Sequence, residues 1–485
     1  MSSDTTPTRP DSSRIQWTAL QSTTSKCPRP ARAVDRSMLT DLLRQRVRAD
    51  GDTAFLCTES TTLSYRAFLV RVSALAEQLR RFSGMSVGYV ADDALDSITF
   101  LFAACDVGAE ACLYPAQISS EEALDFAERF GHVQISLESD GGVVIVCEGD
   151  SAVGGMKDDV ENERSLAVLT SGTTGTPKAT RHRFRSLIAS ASQGRGPTSS
   201  AGTTWLLVYN VNQYAGLQLL AHVLNTGGTL VIPPENRPAA ALDSMIHYGV
   251  THVSATPTFW RMLLALLSRG QLRPPELRQI TIGGEAVSES LLQQLASCFP
   301  TARISHIYAT TEIGSAIAVS DGRAGLPEEV LDRKVGNCVQ LRISEGELHA
   351  RSRVGMFGYH GSEVVADDWI STGDLVELRD GRIHFVGRVG NVINVGGIKV
   401  PPLPIEEIIG NVAGVELVRV FGRSNPITGN IVAADVVAQP GCDLLDLRRD
   451  IALACEVLPE AHRPRIVKMV DSLSVVQMKL DRRKE

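Results

Sequence analysis

Between Leu169 and Lys178 the chain reads LTSGTTGTPK, with five Ser/Thr hydroxyls and two glycines ahead of the lysine. Glycines let backbone approach a ligand closely, and successive N–H groups can form an anion-binding nest. Hydroxyls add donors and a lysine adds a point charge, a combination suited to a polyphosphate. The Walker A spacing GxxxxGK[ST] is absent, so this would be a different phosphate device. A flexible Ser/Gly/Thr linker would share the composition. It would not sit between two apolar strand-like runs and end on Pro177–Lys178.

Five further segments carry residues of chemical use: GGEAV (283–287), YATTE (308–312), STGD (371–374), GRVGNVINVGGIKV (387–400) and MKLDRR (478–483). Glu312 offers a hard ligand for Mg²⁺, or else a first-turn acid complementing a helix dipole. Asp374 beside Gly373 could accept bonds from a ligand diol, or serve as a turn aspartate. Tyr308 could stack on a ring or fill a half-buried core position. Lys479 lies in a charged chain end, and such ends are usually solvated.

Together these six motifs resemble, in order and at similar spacing, those of the adenylate-forming superfamily: acyl- and aryl-CoA synthetases, peptide-synthetase adenylation domains and luciferases. LSYRAF at 63–68 and Gly108–Ala109 fit more weakly, and the resemblance runs from about residue 40 to 485. It implies an α/β fold: a large N-terminal domain with stacked sheets over 31–388 and a small mobile α+β domain over 389–485. Residues 1–30 read as a disordered lead-in. The implied activity is a carboxylate–CoA ligase, which makes acyl-AMP from ATP and a carboxylic acid and then a thioester with CoA.

The resemblance also implies roles. Thr170, Ser171, Gly172, Thr173, Thr174, Gly175 and Lys178 would hold phosphates. Gly284, Glu285 and Tyr308 would contact adenine, and Asp374 and Arg388 the ribose. Thr311 would bind a phosphate oxygen, Glu312 would hold Mg²⁺, and Lys479 would neutralise charge on the transferring group. Gln213, Tyr214, Gly216, Gly283, Ala309 and Ile313 would wall the acyl pocket. Rotation about the hinge would swing Lys479 out and bring Asn394, Gly396 and Gly397 to a pantetheine tunnel; by itself that glycine pair reads as a hairpin turn.

YNVNQYAGLQLL at 209–220 holds no acid to pair a substrate amine, so the expected substrate lacks an α-amino group. Aryl, polycyclic and medium-chain acids all remain open. Five positions depart from the family pattern: Ala179, Ala309, Gly390 at the hinge, and Gln477–Met478 before Lys479. Two alternatives stand beside the leading one, the first motivated by Gly390 and Gln477–Met478 and the second opposed by the intact phosphate loop, Glu312, Asp374 and Lys479. One is an enzyme running a single half-reaction, either from a ready-made acyl adenylate or onto a carrier-protein pantetheine. The other is a non-catalytic nucleotide- or CoA-binding protein.

These residues must be positioned by alternating strands and helices. Leu39, Leu42, Leu43 and Val47 form one helical face closed by Gly51. TLSY at 62–65 reads as a strand running into a helix capped by Ser64, with the stripe Phe68, Val72, Leu75, Leu79. GTLVI (228–232), HVSATP (252–257) and QITIGG (279–284) read as strands, with helices after the last two, the second over 287–297. Such sheets bind ligands at the carboxyl ends of their strands.

The whole chain has 485 residues, a net charge of −7 and 21% charged residues, so it is neither disordered nor broadly basic. Nucleic acid is not expected as a partner. No apolar run is long enough to span a bilayer, and the N-terminus lacks a signal-peptide core. Nine cysteines without a CxxC pattern suit reduced core residues in the cytoplasm rather than a zinc site.

Overall fold

The computed structural model describes residues 39–138, 141–148, 165–171, 177–191, 202–270, 272–332, 339–363, 368–476 and 478–481. The expected lead-in over 1–30 lies outside them. Among the described residues the strands form two eight-stranded sheets, two five-stranded sheets and a terminal two-stranded hairpin.

The first eight-stranded sheet positions most of the site. Its strands Thr204–Leu207, His252–Ala255, Gln279–Gly283 and Arg303–Thr310 run parallel, with Gly314–Val319 antiparallel at one edge. Helix Pro257–Gly270 follows one strand and helix Glu289–Cys298 the next. The second helix starts two residues later than expected because Ser288 caps it, accepting from Leu291 N at 3.3 Å. Ser64 caps helix Tyr65–Leu79 as expected, accepting from Ala67 N.

Apolar alternation places the cores. The largest joins the two eight-stranded sheets: Leu56, Trp205 and Leu230 from one, Val87, Leu113 and Val168 from the other, with Phe68 and Phe102 between. A second covers the outer face of the first sheet, where Val253, Ile280 and Ile282 meet Phe259, Trp260 and Leu295. Trp260 is fully buried and meets Phe299 edge-on at 6.0 Å between ring centroids. Trp260→Ala should therefore lower unfolding free energy by about 3–5 kcal/mol, read by denaturant titration; a loss under 1 kcal/mol would contradict this packing.

The last five-stranded sheet has its own core, Ile393 through Leu458, closed by helices Leu403–Gly410 and Leu444–Ala454. At the expected hinge, strand Arg382–Arg388 runs into a short 3₁₀ turn, Val389–Asn391. Neither Gly387 nor Gly390 takes a left-handed φ, so the backbone there is ordinary in this conformer. The seven described cysteines are all free thiols, four of them buried. No helix among the described residues is long and apolar enough to cross a membrane.

Candidate active site

The parallel strands of the first sheet end along one cleft, and the expected residues follow those ends. Strand Gln279–Gly283 delivers Gly283, Gly284 and Glu285. Strand Arg303–Thr310 delivers Tyr308 and Ala309, then Thr311 and Glu312. All seven line the cleft together with Thr170, Lys178, Gln213, Tyr214, Asp374, Arg388 and Lys479.

Asp374 and Arg388 come from the antiparallel pair Ile370–Arg379 and Arg382–Arg388, where they are direct cross-strand partners. Arg388 Nε lies 3.0 Å from Asp374 Oδ1, and the Asp374 side chain is 15% exposed. Tyr308 donates its hydroxyl to Asp374 Oδ2 at 2.9 Å. Gly373, at φ +71°, turns the strand, and Thr372 Oγ1 accepts from Asp374 N. Burial raises the Asp374 carboxyl, and Arg388 and Tyr308 counter it. The Tyr308 ring stacks on Phe385 at 5.0 Å, leaving one ring-lined flank on the cleft.

Lys479 enters from the terminal hairpin Val475–Val476/Lys479–Leu480. Gly284 has φ +86°, and a Cβ there would lie 3.2 Å from Lys479 Nζ and 3.0 Å from its Cε. A larger side chain would obstruct the lysine. Glu285 braces the entry by accepting from Thr258 N at 3.1 Å and Leu480 N at 3.4 Å. Thr256 donates its hydroxyl to the Met478 carbonyl. Met478 is buried against the second core and takes φ +58°. The departure at Met478 thus accompanies a seated lysine. Gln477 lies outside the described residues. Burial lowers the Lys479 pKa, with Glu285 and Asp374 favouring its charge and Arg388 opposing it.

The phosphate segment is bounded by an antiparallel pair in which Thr170 faces Lys178 and Ser171 faces Pro177. Gly172, Thr173, Thr174 and Gly175 lie outside the described residues. The Lys178 ammonium sits 5.2 Å over the Tyr359 ring. Among the described residues no group of three or more His, Cys, Asp or Glu gathers to hold a metal. Glu312 brings one carboxylate from the end of strand Arg303–Thr310, which fits a Mg²⁺ completed by phosphate oxygens and water.

Two residues expected at the pocket wall stand away from the cleft. Gly216 packs on backbone, where a Cβ would sit 2.3 Å from the Asn210 carbonyl oxygen, and it is not among the cleft-lining residues. Ile313 is fully buried with Ile317 and Val354 in a separate core. Asn394, Gly396 and Gly397 do not line this cleft either. Gly396 and Gly397, at φ +59° and +93°, form the tight turn between Ile393–Val395 and Ile398–Val400. Asn394 Oδ1 accepts from Gly397 N at 2.9 Å. Sequence reasoning missed Phe385, Tyr359 and Thr256. Only Thr256 had a signal, at the turn after an expected strand.

The family model described as AMP-binding enzyme matches residues 43–360. A 2-succinylbenzoate–CoA ligase of Staphylococcus epidermidis is 24% identical over 420 residues, covering 80% of this chain and 85% of that protein. A 4-coumarate–CoA ligase-like 6 protein of Oryza sativa subsp. japonica is 28% identical, over 60% of this chain and 56% of its own length. Among solved structures, the anthranilate CoA ligase AuaEII in complex with anthranoyl-AMP superposes with a TM-score of 0.76 at 17% identity, covering 92% of this chain and 96% of that one. The o-succinylbenzoate CoA synthetase MenE of Bacillus subtilis, with its acyl-adenylate intermediate, gives 0.69 at 22%, covering 90% and 96%. These structural likenesses establish a shared α/β fold.

Proposed function

The chain belongs to the AMP-binding enzyme family, and on that premise we propose that it is an ATP-dependent carboxylate–CoA ligase acting on an acid without an α-amino group. The observation that carries this reading is the seated Lys479, which meets Gly284 in the same cleft as the Tyr308–Asp374–Arg388 cluster. The names of the 2-succinylbenzoate and 4-coumarate relatives support the acid class and the CoA acceptor. Other relatives are named as acyl-carrier-protein ligases, so a carrier pantetheine is the second reading.

In the first step a substrate carboxylate oxygen attacks the α-phosphorus of ATP, and the bond to the pyrophosphate oxygen breaks. Such a displacement asks the protein mainly for positioning and charge neutralisation. Tyr308 and Phe385 offer the adenine a stacking flank, and Asp374 accepts from the ribose hydroxyls. Thr170, Lys178 and Thr311 take the phosphates, and Lys479 faces the charge that grows on the transferring group. Mg²⁺ held by Glu312 would supply further neutralisation of the phosphates.

In the second step a thiolate attacks the acyl carbonyl, the C–O bond to AMP breaks and a thioester forms. The thiol proton goes to solvent. Residues 31–388 and 389–485 act as two domains that re-orient between the steps. Lys479 then withdraws, and the Asn394–Gly397 turn approaches the acyl adenylate.

ATP–pyrophosphate exchange should depend on added carboxylic acid, and CoA should convert the adenylate to thioester. Turnover from synthetic acyl adenylate plus CoA, without any exchange, would replace this reading with the second half-reaction alone.

A further inference from the structure

The first eight-stranded sheet has two unlike faces. On one, Val253, Ala255, Ile280 and Ile282 are fully buried against helices. On the other, strand register sets polar residues of the last three strands side by side, beside the apolar Leu207 and Trp205. Leu207, Ser254, Thr281 and Ser305 form one row across four strands, and Trp205, His252, Gln279 and Arg303 form the next. Residues 279, 281 and 283 alternate onto this same face, so the rows lead directly to Gly283 in the cleft.

The opposite wall is helix Tyr214–Thr226, which presents Tyr214, Gln218 and His222 at four-residue spacing to the same cavity. Gln279 Nε2 donates to Ser305 Oγ at 2.9 Å and Thr281 Oγ1 at 3.3 Å, and Gln218 Nε2 donates to the Tyr214 hydroxyl at 2.8 Å. Gln279 and Thr281 are each only 8% exposed.

Covered sheet faces in α/β folds are ordinarily apolar. Hydroxyls and amides in a covered slot cost free energy unless hydrogen-bonded. Here they are held in fixed places by one another. Each hydroxyl has one donor and two acceptor sites: Thr281, which accepts from Gln279, keeps capacity to donate to a ligand, and Ser305, which accepts from Gln279 and donates to the Ile280 carbonyl at 3.5 Å, keeps capacity to accept.

We propose that this slot receives the tail of the acid, and that the acid is oxygenated: a hydroxyl- or keto-bearing carboxylic acid rather than a plain hydrocarbon one. The inference rests on the ligase reading. With the carboxylate near Gly283, the tail lies along Thr281 and Ser305 toward Gln279, with Gln218 across the slot. Four residue steps along the strand separate Gly283 from Gln279, about 13 Å at about 3.3 Å each, which suits a medium chain or fused rings. A plain hydrocarbon tail would strip water from this wall and return no hydrogen bond. A site built to bond a polar group rejects the analogue that lacks it.

The test compares acid-dependent exchange with decanoic, 9-oxodecanoic and 10-hydroxydecanoic acids, which have equal chain length. In the unmodified protein, kcat/KM for an oxygenated acid should exceed that for decanoic acid by at least about tenfold. Thr281→Val, close in shape, and Ser305→Ala separately should each reduce that ratio. Equal or better use of decanoic acid by the unmodified protein would overturn the oxygenated class and leave the ligase reading intact. So would an equal loss on all three acids in both variants. Absence of exchange with every acid would remove the ligase reading, and this inference with it.

Discussion

Lys479→Ala is expected to slow acyl-adenylate formation by about 10²- to 10³-fold, the usual consequence of losing one preorganised charge that faces a transition state. Single-turnover formation of acyl-AMP measures it. Thioester formation from synthetic acyl adenylate should fall far less, because the proposed cycle withdraws the lysine in that step. Wild-type exchange in the variant would show that Lys479 is merely a seated chain end. The reaction also needs the ammonium form, which exists below its pKa. Burial sets that pKa under the 10.5 of a free lysine, so adenylation should fail as pH rises through the lowered value. Lys479→Arg keeps a charge that does not titrate in this range, and whatever rate remains should lose the alkaline limb.

The second large effect is expected at Asp374. Its carboxylate holds Tyr308 and Arg388 at once and faces the cleft from a covered position. Asp374→Asn keeps the shape and removes the charge. Hydrogen bonds to charged groups contribute about 1.5–3 kcal/mol, so KM for ATP should rise about 10- to 150-fold. The acyl adenylate carries the same ribose, so its KM in the thioester step should rise as well. A drop in kcat with both KM values unchanged would place Asp374 outside nucleotide binding.

Much of the candidate site was legible because its residues sit at strand ends in short runs. Tyr308 and Glu312 lie four positions apart, and one strand end delivers both to the cleft. Asp374 and Arg388 fourteen positions later needed only a hairpin to meet, and residues 380–381 provide it. Neighbourhood in sequence failed where side-chain direction decides. Gly216 follows Tyr214 by two helical positions and so points elsewhere. Ile313 follows Glu312 yet turns into a core. Phe385 was invisible because its stacking on Tyr308 joins two different sheets. The oxygen-rich slot was missed for a related reason. Ser254, Thr281 and Ser305 are unremarkable one by one, and only the parallel register sets them in line.

Met478 bears on how the catalytic cycle keeps moving. Glu345, Asp380 and Met478 are the described non-glycine residues with positive φ, and the first two occupy hairpin turns closed by glycine. A left-handed methionine costs about 1–2 kcal/mol. The burial of its side chain and the Thr256 bond oppose that cost. Attraction and strain therefore act on the same joint. In the proposed cycle the lysine arrives and departs once per turnover and gains from such a sprung latch, because over-tight docking would stall the enzyme on its first product.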